Sequence, residues 1–124
     1  MDIHCYELHG LRVAEFSKIG DELRTDRQAI EIISQASECQ PELIIIPVER
    51  LSNDFFHLKT RVAGEFLQKF VMYRKRVVIL GDISAHLNSS SALRDFVYEC
   101  NAGRDIWFMT SLDELNRKLI AEDK

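Results

Sequence analysis

Features that would assign a reaction directly are scarce in this sequence. Its 124 residues include only three cysteines, two prolines and five glycines. No C-x-x-C pair, glycine-rich phosphate loop or G-x-G-x-x-G turn occurs. No serine-histidine-aspartate or cysteine-histidine arrangement can be read from the spacing either. We therefore expect no metal site and no cofactor, and the residue pattern alone does not support an enzyme.

The cysteines are few and far apart. Cys5, Cys39 and Cys100 are odd in number and widely spaced, which disfavours both a disulfide framework and a zinc knuckle. Free cysteine behaves mostly as a small buried hydrophobe, so we expect three reduced structural thiols. The histidines are equally scattered, at His4, His9, His57 and His86. A metal site would require these side chains to converge from distant parts of the chain.

A strong excess of one charge sign and long apolar runs are also missing. Sixteen basic and 20 acidic residues give a net charge of -4, without a lysine-arginine block that would neutralise a nucleic-acid backbone. No run approaches the roughly 18 apolar residues of a membrane span. The first ten residues, MDIHCYELHG, lack both a basic start and an apolar signal core. We expect no nucleic-acid partner, no membrane insertion and a cytoplasmic location.

The composition is that of one globular domain. A content of 46% hydrophobic and 29% charged residues suits a chain that buries its own core, so we expect a single α/β domain over residues 1–124. Residues 2–16 hold two extended segments separated by His9-Gly10, where glycine can take the positive φ of a tight turn. This pattern predicts an N-terminal β-hairpin.

Helical and extended patterns alternate after the hairpin. Thr25 and Gln28 form a capping-box pair at the start of a helix predicted over residues 26–38. Apolar runs rich in β-branched residues predict strands that are covered on both faces, and these runs lie at 43–48, 76–84 and 105–109. The segment ALRDFVYECN predicts a third helix that ends at Gly103.

A last helix completes the order. Ser111 and Glu114 form its capping box, and Leu112, Leu115 and Leu119 give it an apolar face. The whole order, ββαβαβαβα, predicts an α/β fold with a mixed, partly parallel sheet and right-handed crossovers. In such sheets ligands bind outside the carboxyl ends of the parallel strands, near helix N-termini.

The stretch SNDFFHLKTRVAGEFLQKF, residues 52–70, predicts a second helix that is capped by Ser52 or Asn53 and continues to about Tyr73. Helical periodicity places its apolar residues on one side, and they are Phe55, Val62, Ala63, Phe66, Phe70 and Tyr73. Lys59 projects with them, which is unusual for a charged residue. The side chain can expose its head, pair with Asp82 or Glu49, bind an anionic ligand or act as a catalytic lysine.

Two regions are candidate sites on this basis. The first is a crevice at the strand ends, formed by Glu49, Ser52, Lys59, Asp82, Ser84 and Ser90. The second is an interaction surface around the starts of the second and third helices, formed by His57, Arg61, Gly64, Arg94 and Glu99. Asp95 and Glu99 form a like-charge i,i+4 pair, and small residues on the second helix suit close approach of another surface, such as a homodimer partner.

The sequence also resembles a known family. The core FFxLKTxxAGExLQKFxxYR, followed by LRDFxxExN, is similar to the bacterial family catalogued as domain of unknown function 4180. This resemblance covers nearly the whole chain and implies a compact cytosolic bacterial domain with no established activity.

A more distant similarity is to STAS-like domains of the anti-sigma-factor-antagonist type, which carry a regulatory serine at a helix start. Ser52 in ERLSNDFF occupies that kind of position, either as a modified residue or as a plain N-cap. We expect a non-enzymatic regulatory or protein-interaction module with a protein partner or self-association. The alternatives are a small-molecule or anion sensor that uses the crevice near Lys59 and Asp82, and an uncharacterised enzyme.

Overall fold

The computed structural model of the chain describes residues 3–122. Within them five strands form one sheet: β1 (Ile3–Leu8), β2 (Leu11–Phe16), β3 (Leu43–Pro47), β4 (Arg76–Leu80) and β5 (Ile106–Met109). Five α-helices accompany them: α1 (Asp26–Ala36), α2 (Val62–Met72), α3 (Ser84–Asn88), α4 (Ser91–Ala102) and α5 (Leu112–Glu122). Short 3-10 turns occupy Ser37–Cys39, Val48–Arg50, Asn53–Phe56 and Leu58–Thr60.

The strands lie side by side in chain order, β1-β2-β3-β4-β5. The first pair is antiparallel and the other three pairs are parallel. The predicted α/β fold with an N-terminal hairpin and a partly parallel sheet is therefore confirmed. Residue 2, where the sequence placed the start of the hairpin, lies outside the described residues.

The hairpin turn has the backbone that its sequence requires. His9 and Gly10 both have positive φ, at 49° and 80°. Two such residues between antiparallel strands match the right-handed twist of the strands, which is the property of a type I′ turn. The turn sets the register so that Leu8 is paired with Leu11 and Ile3 with Phe16.

Each face of the sheet packs against helices, as the continuous apolar strands predicted. One face packs on three helices through Ala29 and Ile32 of α1, Phe66 and Phe70 of α2, and Leu93 and Val97 of α4. The other packs on α5 through Leu115 and Leu119. Crossovers of one hand between strands in sequential order place the helices of all three crossover connections on one face, which leaves the other face for α5.

The predicted second helix begins later than expected. Two 3-10 turns precede α2, and Arg61 between them and the helix has a left-handed conformation with φ of 66°. A left-handed residue interrupts α-helical hydrogen bonding, so the segment cannot be one helix. The prediction that Ser52 or Asn53 caps this helix is wrong. The Val62 N–H instead donates to Thr60 Oγ1 at 3.2 Å.

This break changes the environment of Lys59. Lys59 lies in the second 3-10 turn and is exposed, so it does not share the apolar face of α2. The aromatic core positions are nevertheless right, since Phe55, Phe66 and Phe70 are fully buried. Tyr73, predicted on the same face, is 51% exposed. The predicted apolar face thus holds for α2 and Phe55 and fails at Lys59 and Tyr73.

The strand predicted over 76–84 is shorter and ends at Leu80. Gly81 follows with φ of 143°, and a Cβ there would lie 2.3 Å from a methyl carbon of Val48. This close approach requires glycine and turns the chain out of the sheet. The short helix α3 then forms before the serine-rich segment, and the sequence pattern gave no indication of it.

The expectation of three reduced thiols is wrong for two of the cysteines. Cys5 on β1 and Cys39 in the turn after α1 form a disulfide, with Cα atoms 5.4 Å apart. Their sequence separation of 34 residues concealed the pairing, because α1 has to return along the sheet to bring them together. Cys100 is free and half-buried, as expected for a structural thiol.

Candidate functional site

An open cleft lies where β3 and β4 end, at the carboxyl edge of the sheet. We call it the carboxyl-edge cleft, and its volume is about 460 Å³. It is lined by Glu22, Val48, Glu49, Leu51, Asn53, Phe56, Asp82, Ile83 and His86. This is the place in a parallel sheet where a ligand site is expected. Glu22, Leu51 and His86 were not singled out from the sequence, because they reach the cleft from segments that no motif connects.

Backbone hydrogen bonds hold the walls of the cleft together. Leu23 N–H donates to the carbonyl of Arg50 at 2.7 Å, and Ser52 N–H donates to the carbonyl of Leu23 at 3.0 Å. These bonds form a short parallel bridge between Leu23 and Leu51. Glu22 is therefore held against the segment that carries Glu49.

A buried arginine supports the same wall from behind. Arg50 is 8% exposed, and its Nε and Nη1 donate to the carbonyls of Asp21 and Ser17 at 2.9 and 3.1 Å. A buried guanidinium needs such acceptors to offset the loss of water. Arg50 thus fixes the segment between β2 and α1. This role could not be predicted from the sequence, because an isolated arginine is by default a surface residue.

The rim of the cleft is acidic. Glu22, Glu49 and Asp82 are all exposed and come from three separate segments. Lys18 lies 3.7 Å from Glu49, but both side chains are largely exposed, so this ion pair contributes little. The cleft therefore presents negative charge to its surroundings.

Asp82 is held ionised by its own turn. The Ser84 N–H donates to Asp82 Oδ1 at 2.9 Å. This bond, with a further one from the Ser84 side chain, lowers the pKa of the Asp82 carboxyl below its usual value. The charge of Asp82 is thus constant through the neutral range. Ser84, predicted as a crevice residue, thus acts on Asp82 through both its backbone N–H and its side chain.

The floor of the cleft is aromatic. Phe56 and His86 stack with ring centroids 4.1 Å apart and planes within 10° of parallel. Phe56 is 6% exposed, and Ile83 beside it is also buried. A binding partner would therefore meet apolar surface between the carboxylates, which suits a side chain with an apolar stem and a charged end.

A second depression lies on the other side of Phe56. We call it the Lys59 depression, and its volume is about 310 Å³. It is lined by Phe56, His57, Leu58, Lys59, Ser89, Ser90 and Ala92. The six residues predicted as one crevice are therefore not brought together. Glu49 and Asp82 line the carboxyl-edge cleft, whereas Lys59 and Ser90 line the Lys59 depression.

Of the alternatives that the sequence left open for Lys59, the ion pair with Asp82 or Glu49 is not formed. Within residues 3–122 no carboxylate lies within ion-pair distance of its ammonium group. Ser90 beside it is the N-cap of α4 and accepts a hydrogen bond from the Leu93 N–H at 3.1 Å. Ser89 Oγ lies 3.2 Å from the carbonyl of His86. The two hydroxyl groups thus already have backbone partners.

Ser52 is inaccessible in this structure. It is 2% exposed, and its hydroxyl has no hydrogen-bond partner among residues 3–122. A modifying enzyme would need the surrounding segment to open before it could reach this side chain. The predicted regulatory position of Ser52 is therefore not supported by its burial.

The residues of the predicted interaction surface are all exposed. His57, Arg61 and Gly64 lie at or before the start of α2, and Arg94 and Glu99 lie on α4. Arg94 Nη1 donates to the carbonyl of Leu87 at 2.6 Å, which anchors its side chain to the end of α3. Gly64 has open space where a Cβ would lie.

No group of three or more histidine, cysteine, aspartate or glutamate side chains in residues 3–122 is placed to hold a metal ion. Over the same range, every helix is too short or too polar to cross a membrane.

The fold and this edge define a single-sheet α/β protein with an open acidic cleft at the carboxyl ends of its parallel strands. The chain belongs to the family described as Domain of unknown function (DUF4180), whose model matches residues 8–119. The resemblance seen in its FFxLKT and LRDF segments is thereby confirmed. No curated protein and no solved structure gives a significant match. The distant similarity to STAS-like domains stays a prediction.

Proposed function

We propose that this protein is a non-enzymatic, cytoplasmic regulatory module that docks a basic segment of a partner protein in the carboxyl-edge cleft. The observation that carries the proposal is the arrangement of three exposed carboxylates, Glu22, Glu49 and Asp82, around the buried ring of Phe56. Lysine and arginine side chains match this arrangement, because their stems are apolar and their ends are positive. Complementary charge also steers association and excludes acidic partners such as nucleic acids.

Binding explains the cleft better than catalysis does. A general acid or base that works near neutral pH needs a pKa close to that pH. The pKa of Asp82 is shifted down, away from neutral pH, since the Ser84 N–H stabilises the charged form of the carboxyl. A fixed negative charge is of use for holding a cation and of little use for moving a proton. An uncharacterised enzyme is therefore the weaker alternative.

A protein partner suits the cleft better than a small molecule. Sites for small ligands enclose most of the ligand surface. Here the charged side chains stand exposed on the rim and come from three segments that are far apart in the sequence. A partner that spans the rim can contact all three at once.

The test is affinity capture with a charge-reversal variant. Glu49→Lys with Asp82→Lys should lose at least tenfold in affinity for a partner that the unmodified protein captures. The matched control is Glu31→Lys with Glu38→Lys, which changes the net charge equally at two exposed positions outside the cleft. Calorimetric titration of the purified partner gives the dissociation constants. A second copy of this chain is a valid partner, detected by sedimentation.

The outcomes separate clearly. Loss of binding in the cleft variant and retention in the control support docking in the carboxyl-edge cleft. Equal binding by all three proteins, at matched thermal stability, refutes it. Cell fractionation at the native expression level checks the cytoplasmic location.

A sensor of small anions is the second candidate, and one observation favours it. Lys59 has no carboxylate partner within residues 3–122 and lies beside the start of α4, where backbone N–H groups favour negative charge. In a thermal-shift screen, phosphates and organic acids should raise the melting temperature if this depression binds them. Lys59→Met should abolish that rise. A flat response in both proteins removes the sensor from consideration.

A further inference from the structure

The link between Cys5 and Cys39 joins two parts of the fold with unequal stability. Cys39 follows α1, whose Ala29, Ile32 and Ala36 are buried in the core. Cys5 lies in β1, and none of the six residues of β1 is fully buried. The disulfide therefore attaches a weakly packed edge strand to a well-packed helix.

Strand β1 depends on this attachment more than its neighbours do. Among residues 3–122 it pairs only with β2, because it is the first strand of the sheet. Strand β2 has Val13, Ala14 and Phe16 in the core and a second pairing with β3. Segments with few buried apolar contacts are the first to open locally. Opening of β1 would leave the four-stranded parallel part of the sheet intact.

The disulfide is also accessible to a reagent. Cys5 is exposed and Cys39 is half-buried, so a thiolate from outside can approach the sulfur of Cys5. The remaining thiol, that of Cys100, does not compete with an outside thiolate for attack on the disulfide. Cys100 is packed against the core on the face of the sheet that α1, α2 and α4 cover. Burial, together with the charge of Glu99, raises the pKa of its thiol to about 11. At neutral pH it is almost entirely the unreactive thiol.

We propose that Cys5–Cys39 is a reversible thiol-exchange site that a dithiol reductant opens, and that its redox state controls the local stability of β1. In the first step a thiolate of the dithiol attacks Cys5 Sγ, the Cys5–Cys39 bond breaks, and Cys39 leaves as a thiolate that takes up a proton. In the second step the other thiol of the reductant, as its thiolate, attacks the mixed disulfide and releases Cys5. The dithiol supplies both electrons and becomes a cyclic disulfide.

The site goes beyond the proposed docking function, since it lies on β1 and not in the carboxyl-edge cleft. In a reducing compartment, disulfides are mostly transient and regulatory. A reversible bond here is consistent with the cytoplasmic location proposed above. In the oxidised form the disulfide holds β1 at the edge of the sheet. In the reduced form β1 can separate from β2 and pair with it again.

The first experiment follows reduction of the native protein by dithiothreitol with mass-tagged alkylation. Protein prepared without reductant should show one free thiol, Cys100, and its reduction rate should rise linearly with dithiothreitol concentration. A rate that levels off at the separately measured rate of global unfolding would overturn the proposal, as would three free thiols before reduction. Cys100→Ser is the matched control and should be reduced at the same rate.

The second experiment compares hydrogen exchange of the oxidised and reduced forms. Reduction should speed amide exchange in β1 at least tenfold more than it speeds exchange in β3 and β4. The variant Cys5→Ser with Cys39→Ser should behave as the reduced protein whether or not dithiothreitol is present. Equal protection of β1 in both forms, or an equal loss of protection in β1, β3 and β4, would overturn control of β1 by this bond.

Discussion

Two neighbouring positions on α2 lie in opposite environments. Phe66 is fully buried and contacts the rings of Phe55 and Phe70, whereas Gly64 has open space around its missing side chain. Phe66→Ala should destabilise the protein by about 3–5 kcal/mol because it leaves a cavity. Gly64→Ala should stabilise it by roughly 0.5–1 kcal/mol because alanine favours a helix. Urea unfolding checks both, and a negligible loss for Phe66→Ala would contradict the packing of α2.

Two positively charged residues near the cleft should respond to substitution very differently. Lys59 is exposed, so Lys59→Met should change the free energy of unfolding by less than about 0.5 kcal/mol. Arg50 is buried and bonded to two carbonyls, so Arg50→Met should cost roughly 2–4 kcal/mol by leaving them unpaired. Chemical denaturation measures both values. A large loss for Lys59→Met would mean that it neutralises a carboxylate.

The titration of Asp82 tests the turn that presents it. Its folded pKa lies below the unfolded value, so it stabilises the protein above the unfolded pKa, and this stabilisation disappears as the pH falls through the folded pKa. Carboxyl NMR should show Asp82 titrating below an ordinary aspartate. Ser84→Pro removes the N–H donor at the first residue of α3, where proline is tolerated, and should return the pKa toward about 3.9. An ordinary pKa before substitution would refute the turn geometry.

At the scale of elements, the disulfide should contribute to overall stability as well as to local order. It closes a loop across 34 residues, for which the chain-entropy relation gives about 3–4 kcal/mol. The double variant Cys5→Ser with Cys39→Ser should lose about that much in urea unfolding without reductant. Cys100→Ser serves as the comparison and should lose less. With reductant present, the double variant and the unmodified protein should have nearly equal stability.

The sequence predicted most elements because their signals are local. The capping box of Thr25 and Gln28, the turn at His9-Gly10 and the apolar run of β3 each lie within a few residues. The start of α2 could not be predicted in the same way. Its position depends on the left-handed backbone of Arg61, and arginine carries no sequence signal for that conformation.

At the scale of the whole molecule, the candidate site was predicted at the right edge of the sheet with partly different members. Topology alone places a site at the carboxyl ends of parallel strands, and Glu49 and Asp82 followed from this rule. Glu22 and His86 did not, because a loop and the unexpected helix α3 bring them there. The division into an acidic cleft and a Lys59 depression depends on the position of Phe56, which only tertiary packing determines.

Docking of a partner in the carboxyl-edge cleft can be tested by site-specific photocrosslinking in living cells. A photoreactive residue at Asn53, which is exposed in the cleft, should give a discrete crosslinked product that contains a basic segment of one protein. The same residue at Asp105, exposed at the opposite edge of the sheet before β5, should give none. The same product from both positions, or from Asp105 alone, would contradict docking in the cleft.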